Sequence, residues 1–287
     1  MRLNHNMNSL SAYNVYKKNL NASSSVMGKI SSGLKVKSAK DNPNKIGQSD
    51  LMKIQIKSLQ AAQKNIQDSV SMIQTADGAL QEANNILSRM NELAVSAADG
   101  TKSENDRLAI QEEIEQLKGN LTDLANNTEF NGIKIIGDER VTNNKYPVFR
   151  ENQVGTMVGE STRIPIYNVL PSSLKDELGN KISDLDLTSE ENASKGINTV
   201  KSAVKTVAEI RSKLGAIANR LDSTGDNSEA IEQYTQNAQS RIADADIGEE
   251  VVELARTQII NDSSMALIAQ SNNLPMNALR ILENLRR

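Results

Sequence analysis

Apolar residues return at every seventh position over most of this chain, and the unbroken runs are long. Tyr13, Leu20, Met27 and Leu34 fall seven apart, with Leu3, Leu10 and Ile30 on the same side. That stripe predicts a helix ending near Ser31, Ser32 and Gly33. Asn42 then reads as an N-cap, with Pro43 at the first helical position, where a missing N–H leaves nothing unpaired. Beyond it Met52, Leu59, Ile66, Ile73, Leu80, Leu87 and Ala94 keep step without a slip. They predict a helix from about 43 to 98, roughly 80 Å long at 1.5 Å per residue. A rod of that length needs partner helices along its whole seam.

Asp99, Gly100 and Thr101 close this helix, and Ser103 with Asp106 caps a third. There Ile110, Ile114, Leu117, Leu121 and Leu124 alternate in steps of four and three until Asn126 and Asn127. Asn131-Gly132 marks a turn. From 129 to 190 the pattern changes: Pro147, Pro165 and Pro171 appear, and β-leaning pieces at 133–136, 154–158 and 162–167 predict two or three short hairpins. Heptads resume with Ala193, Val200, Val207, Leu214 and Leu221, flanked by Ala203, Ile210 and Ile217. Residues 223–227 have the composition of a loop, yet Leu221 to Ile242 is three heptads and Ile217 to Ile231 is two. A loop has no reason to keep count, so one helix is predicted over 190–243, tolerating Gly225 at a cost of ~1 kcal/mol. Asp244, Ala245 and Asp246 break it, and Asp246 with Glu249 resembles a capping box. The last helix carries Ile247, Val251, Leu254, Met265 and Ile268, with Pro275 interrupting it before Leu279, Leu282 and Leu285.

The expected fold is mainly α: an elongated antiparallel helical bundle with coiled-coil terminal helices and a small β-rich central insert. Four segments follow: an N-terminal coiled-coil helix at 1–42, a helical core from 43–140 with 188–243, the insert at 141–187, and a C-terminal coiled-coil helix at 244–287. Antiparallel pairing of 43–98 with 190–243 would bring both termini to one end and leave the insert at the other.

Composition narrows the function classes. Aromatics are 2% of the 287 residues and Trp is absent, so the core must come from Leu, Ile, Val, Met and Ala, which suits helix seams. A net charge of −3 leaves no nucleic-acid footprint and no polybasic membrane patch. With no Cys, disulfides, thiolate metal sites and cysteine nucleophiles are excluded. The N-terminus lacks the apolar stretch of an ordinary signal peptide, and no apolar run is long enough to span a membrane. His5 is the one histidine and reads as a surface residue. Asp244, Asp246, Glu249 and Glu250 read as a solvated helix start favoured by the dipole rather than as a cation site. Neither an enzyme nor a cofactor is expected.

The stretches SGLKVKSAKDNPNKIGQSD, IQTADGALQEANNILSRMNELAVSAADGT, LANNTEFNGIKII, NQVGTMVGEST and SRIADADIGEEVVELARTQIINDSSMALIAQSNNLP resemble bacterial flagellins. The resemblance covers about 1–140 and 190–282. It implies a homopolymer: terminal helices paired as a coiled coil lining an inner tube, long helices forming the wall, and the central segment facing outward. It also implies an extracellular filament, exported by the flagellar type III apparatus, with a flagellin chaperone and filament cap and junction proteins as further partners. The polymer interface would then include Leu10, Tyr13, Leu20, Met27, Leu34, Val251, Leu254 and Ile268. Some flagellins carry a zinc protease insert, but a single His cannot make HExxH. Arg89 and Leu93 lie four apart and over 100° from the seam of Leu80, Leu87 and Ala94, a surface that substitution should be able to change without harm to folding. In family members sensed by innate immunity, the matching Arg and Leu, with a Glu matching Glu113, contact the flagellin-sensing Toll-like receptor. Two other readings stay open: a hook–filament junction adaptor, which shares related ends but a poorer match across 60–140, and a coiled-coil signalling protein, which heptads alone would suit.

Overall fold

Helix boundaries in this chain fall where a side chain or a left-handed glycine takes up loose backbone groups. The computed structural model describes residues 6–285; Leu3 and His5 lie outside the described residues, as do the side chains of Leu279, Leu282 and Leu285. Helix α1, Met7–Ser32, starts where the Asn6 Oδ1 accepts from the Ser9 N–H, and ends at Gly33, φ 69°, whose N–H returns to the Lys29 carbonyl. Helix α2, Pro43–Ala97, begins under Asn42, whose Oδ1 accepts from the Lys45 N–H at 3.1 Å. Helix α3, Glu104–Asn127, carries a reciprocal capping box between Ser103 and Asp106. Helices α4, Glu190–Ala243, and α5, Ile247–Leu285, complete a mainly α chain. Asp246 caps α5, its Oδ1 accepting from the Gly248 N–H at 2.9 Å.

Phase prevailed over composition at 223–227, where α4 runs on unbroken. The Ser223 and Thr224 hydroxyls donate to the carbonyls four residues back, those of Asn219 and Arg220, so they join the helix rather than compete with it.

The chain divides into two units, 57–232 and 1–56 with 233–287, and the division falls within α2 and α4. In the first unit α2 and α4 run antiparallel. The Gln60 amide donates to the Glu232 carboxylate at 2.7 Å, and the Arg211 guanidinium pairs with Asp77 at 2.7 Å. Leu59, Ile66, Ile73, Leu80, Leu87 and Ala94 are buried, as are Ala193, Val200, Val207, Leu214 and Leu221. Helix α3 lies antiparallel on α2, with Arg107 donating to the Ala97 carbonyl at 2.9 Å and Arg89 pairing with Glu113 at 2.9 Å.

Among the described residues two hairpins make up the strand content. Strands β1, Glu129–Phe130, and β2, Ile133–Lys134, flank Asn131 (φ 50°) and Gly132 (φ 74°), the positive pair of a type I′ turn. Strands β3, Val148–Gln153, and β4, Ser161–Ile166, pair antiparallel. The piece at 154–158 is the turn between them and not a strand. Gly155 has no room for a Cβ beside the Glu160 side chain, Gly159 sits at φ 96°, and the Glu160 carboxylate accepts the Met157 N–H. The insert shares the helical core: Ile166, Val169, Leu174, Ile182 and Leu187 are buried in the same cluster as Leu87 and Ile114. The buried Lys118 pins it to α3, its ammonium donating to the carbonyls of Ser183 and Leu185 while pairing with Glu115.

In the second unit α1 and α5 pair antiparallel. Residues 33–35 and 243–245 stitch their ends, the Lys35 N–H donating to the Ala243 carbonyl at 2.7 Å and the Ala245 N–H to that of Gly33 at 2.9 Å. Pro275 does not interrupt α5, contrary to the expectation from sequence. A proline inside a helix strands the carbonyl four residues earlier. That carbonyl belongs to Ser271, and the Asn6 amide donates to it at 2.8 Å.

Candidate assembly surface

The surface is best built from the face the terminal helices turn toward each other. On α1 the better-covered positions are Ser9, Ala12, Tyr16, Asn19, Ser23, Val26 and Ile30, alternating three and four. On α5 they are Glu250, Leu254, Thr257, Asn261, Ser264, Ile268 and Ser271. This seam is largely small and polar. The Asn19 amide donates to the Thr257 carbonyl at 2.6 Å and to the Asn261 Oδ1 at 2.9 Å, and Lys29 pairs with Glu250 at 2.9 Å. Glu250 is buried, so it is not part of the solvated helix start that its neighbours suggested.

The apolar stripe therefore points elsewhere. Leu10, Tyr13, Leu20 and Met27 are each 48–55% exposed. On α5 Val251, Val252, Ile259, Met265 and Leu267 are exposed as well. The α1 stripe stands one residue out of phase with the seam, about 100° around the helix. Small side chains at Ser9, Ala12 and Ser23, and at Ser264 and Ser271, let the two backbones approach, leaving the large apolar groups outside. Of the remaining predicted interface residues, Leu254 and Ile268 are half-buried on the seam of α5, and Leu34 is half-buried where it bridges to Asp244. The residues missed from sequence are Asn6, Asn19, Glu250, Thr257, Ser264 and Ser271. Their signal was available, since Glu250, Thr257, Ser264 and Ser271 are spaced by sevens.

The second predicted surface comes together only in part. Arg89 and Glu113 form an exposed ion pair across α2 and α3, with Glu92 adding a second partner at 3.1 Å. Hydrogen bonding to Glu113, then to Glu92, holds the guanidinium pKa above its ordinary value. Leu93 is not on an open face. It is 7% exposed and belongs to the core. The face of α2 that carries Ala79, Ile86 and Leu93 also packs into that core, so α2 has two apolar faces rather than one.

Among the described residues no group of His, Cys, Asp and Glu is placed to hold a metal, and no helix is long and apolar enough to cross a membrane. What the geometry defines is an α-helical protein whose paired terminal helices display apolar surface, a feature that marks interaction sites.

Known proteins of this kind match it closely. The family described as the bacterial flagellin N-terminal helical region matches residues 3–140, and that described as the bacterial flagellin C-terminal helical region matches residues 197–282. The chain is 36% identical over 282 residues to a flagellin of Halalkalibacterium halodurans, covering 98% of this chain and 100% of the relative. It is 35% identical to a flagellin of Bacillus subtilis, with the same coverage of both. A solved structure described as a flagellar hook-associated protein of Vibrio parahaemolyticus shares the fold, with a TM-score of 0.61, 14% identity, and coverage of 71% of this chain and 100% of that one. The chain belongs to the bacterial flagellin family.

Proposed function

We infer that this chain is the structural subunit of a bacterial flagellar filament and that it polymerises through the outward apolar faces of α1 and α5. The observation that carries this reading is the inversion at the terminal helices, with a polar seam inside and Leu10, Tyr13, Leu20, Met27 and Val251 exposed. A lone monomer gains nothing from leaving such a stripe in water; further copies of the chain would cover it. Leu254, Ile268 and Leu34 serve the same interface indirectly, by holding the helix pair together. Full-length identity to flagellins favours the filament subunit over a junction adaptor, since the hook-associated likeness is one of fold alone.

In that role the chain acts structurally and not as a catalyst. Its partners are copies of itself, the flagellar type III export apparatus, a flagellin chaperone, and the cap and junction proteins, and its destination is extracellular. The layers follow the segments: 1–42 and 244–287 inward, 43–140 with 188–243 as wall, and 141–187 outward. The Arg89–Glu113 pair is the accessible part of a surface for the flagellin-sensing Toll-like receptor, with Leu93 supporting it from beneath.

Removing 1–40 and 245–287 deletes both outward stripes and leaves the unit at 57–232 with its own core. The expected product is a soluble helical monomer that adds to no filament seed. Seeded growth at the wild-type rate, followed by light scattering and electron microscopy, would overturn the reading.

A further inference from the structure

The seam between α1 and α5 poses a problem of register. Ala12 falls opposite Ser264, and the larger seam residues, Tyr16, Val26 and Ile30 on α1 with Leu254 and Ile268 on α5, follow the same three-and-four spacing, which comes back every seven residues. A slip of one heptad would therefore still turn seam toward seam. The same slip would move the α1 stripe about 10 Å against that of α5. The assembly surface would then be a different surface.

We propose that Asn6 and Asn19 set the register of the α1–α5 pair by hydrogen-bonding to backbone carbonyls of α5, and that Pro275 creates one of the two receptors. This rests on the filament reading only in that the stripes being aligned are those that assembly uses. Asn6 does two things at once. Its Oδ1 caps α1 through the Ser9 N–H, while its Nδ2 donates to the Ser271 carbonyl at 2.8 Å and to the Ser271 hydroxyl at 3.0 Å. Every other interior carbonyl of a helix is already paired with the N–H four residues on. The one at Ser271 is free because residue 275 is proline, so it is a marked position on an otherwise repetitive face. Asn19, thirteen residues along α1, reaches the Thr257 carbonyl at 2.6 Å and Asn261 at 2.9 Å. A slip of one heptad either way puts Leu254 or Ile268 where Asn261 stands and leaves the half-buried Asn19 amide without that acceptor. A single buried Asn is known to fix coiled-coil register at some loss of stability, and two spaced points also define the helices' relative direction.

An aspartate at residue 6 keeps the capping oxygen and loses the donor, which separates the two tasks. The chain has no cysteine, so an introduced pair reports alone. Ala12→Cys with Ser264→Cys lies one heptad from the Asn19–Thr257 pair and reports the observed register; Ala12→Cys with Thr257→Cys reports a slip of one heptad. In full-length monomer, oxidation should link the first pair and not the second. Adding Asn6→Asp and Asn19→Asp should lower the ratio of first to second linkage by on the order of tenfold, with helical content unchanged. Pro275→Ala returns an N–H to the Ser271 carbonyl, so Asn6→Asp should change the ratio less in that background. An unchanged ratio, no linkage in the parent, loss of helical content, or an equal effect of Asn6→Asp with and without Pro275 would each overturn the proposal. Filament growth is scored separately: register kept while growth fails counts against the filament reading and leaves this one standing.

Discussion

The two units of this chain use the same sevenfold spacing to opposite ends. In the unit at 57–232 the apolar stripe is the seam, and Leu80 and Leu87 are fully buried. In the unit at 1–56 with 233–287 the stripe faces out and the seam is built from Asn19, Thr257, Ser264 and Ser271. Burying a leucine within the chain stabilises the monomer; leaving it exposed reserves that free energy for whatever covers it later. Monomer folding and assembly are thereby assigned to separate residues, although both sets look alike as letters spaced by sevens.

That contrast can be broken most directly by the same change at equivalent heptad positions. Leu87→Asp buries an unpaired carboxylate and should destabilise the monomer by several kcal/mol, on the order of 3–5 or more. Leu20→Asp should shift the monomer's melt by no more than about 0.5 kcal/mol, as exposed sites do, yet stop seeded filament growth. Chemical denaturation read by circular dichroism, with a growth assay beside it, checks both. A monomer that unfolds on Leu20→Asp would show that the terminal stripe holds the chain itself.

A smaller effect tests the two-faced character of α2. Leu93→Ala should cost about 2–4 kcal/mol, since the side chain is in the core. Arg89→Ala should leave the melt close to that of the wild type, because its pairs with Glu113 and Glu92 are exposed. Receptor signalling is therefore interpretable for Arg89→Ala and not for Leu93→Ala unless melts are matched. Equal melts for the two variants would place Leu93 on the surface after all.

The smallest effect concerns the start of α3. Hydrogen bonding from Ser103, by its side chain first and then its backbone, holds the Asp106 carboxyl below the usual carboxylate range. A depressed carboxylate contributes stability above its unfolded pKa, and that contribution is lost as pH falls through the lower, folded value. Helicity at the α3 terminus, followed by amide exchange from about pH 5 down to about pH 2, should fall for the wild type and be flatter for Asp106→Asn. Identical profiles would mean that the cap adds nothing in acid.

Much of the fold was legible because period and phase are properties of the chain alone. The five helices, the unbroken run of α4 through Gly225, the caps at Asn42, Ser103 and Asp246, and the turn at Asn131-Gly132 all follow from local rules of spacing and hydrogen-bond supply. The misread piece at 154–158 has a local cause of a different kind, since Val154, Met157 and Val158 suit a strand until the carboxylate of Glu160 folds the backbone around itself.

What only the tertiary structure decided is which neighbour each stripe meets. Heptad spacing states that Leu20 and Leu87 each lie on an apolar face, and it is silent on whether that face turns to another helix of the same chain. Leu93 looked free because one seam on α2 was already assigned, and a helix with neighbours on two sides has two. Pro275 looked like a break because the donor that satisfies the carbonyl of Ser271 lies 265 positions away, at Asn6. Local interactions act over a few residues and can be read in order along the chain. Long-range pairing is settled by how closely two backbones can approach, and here the small residues between α1 and α5 allowed a polar seam and left the apolar groups outside.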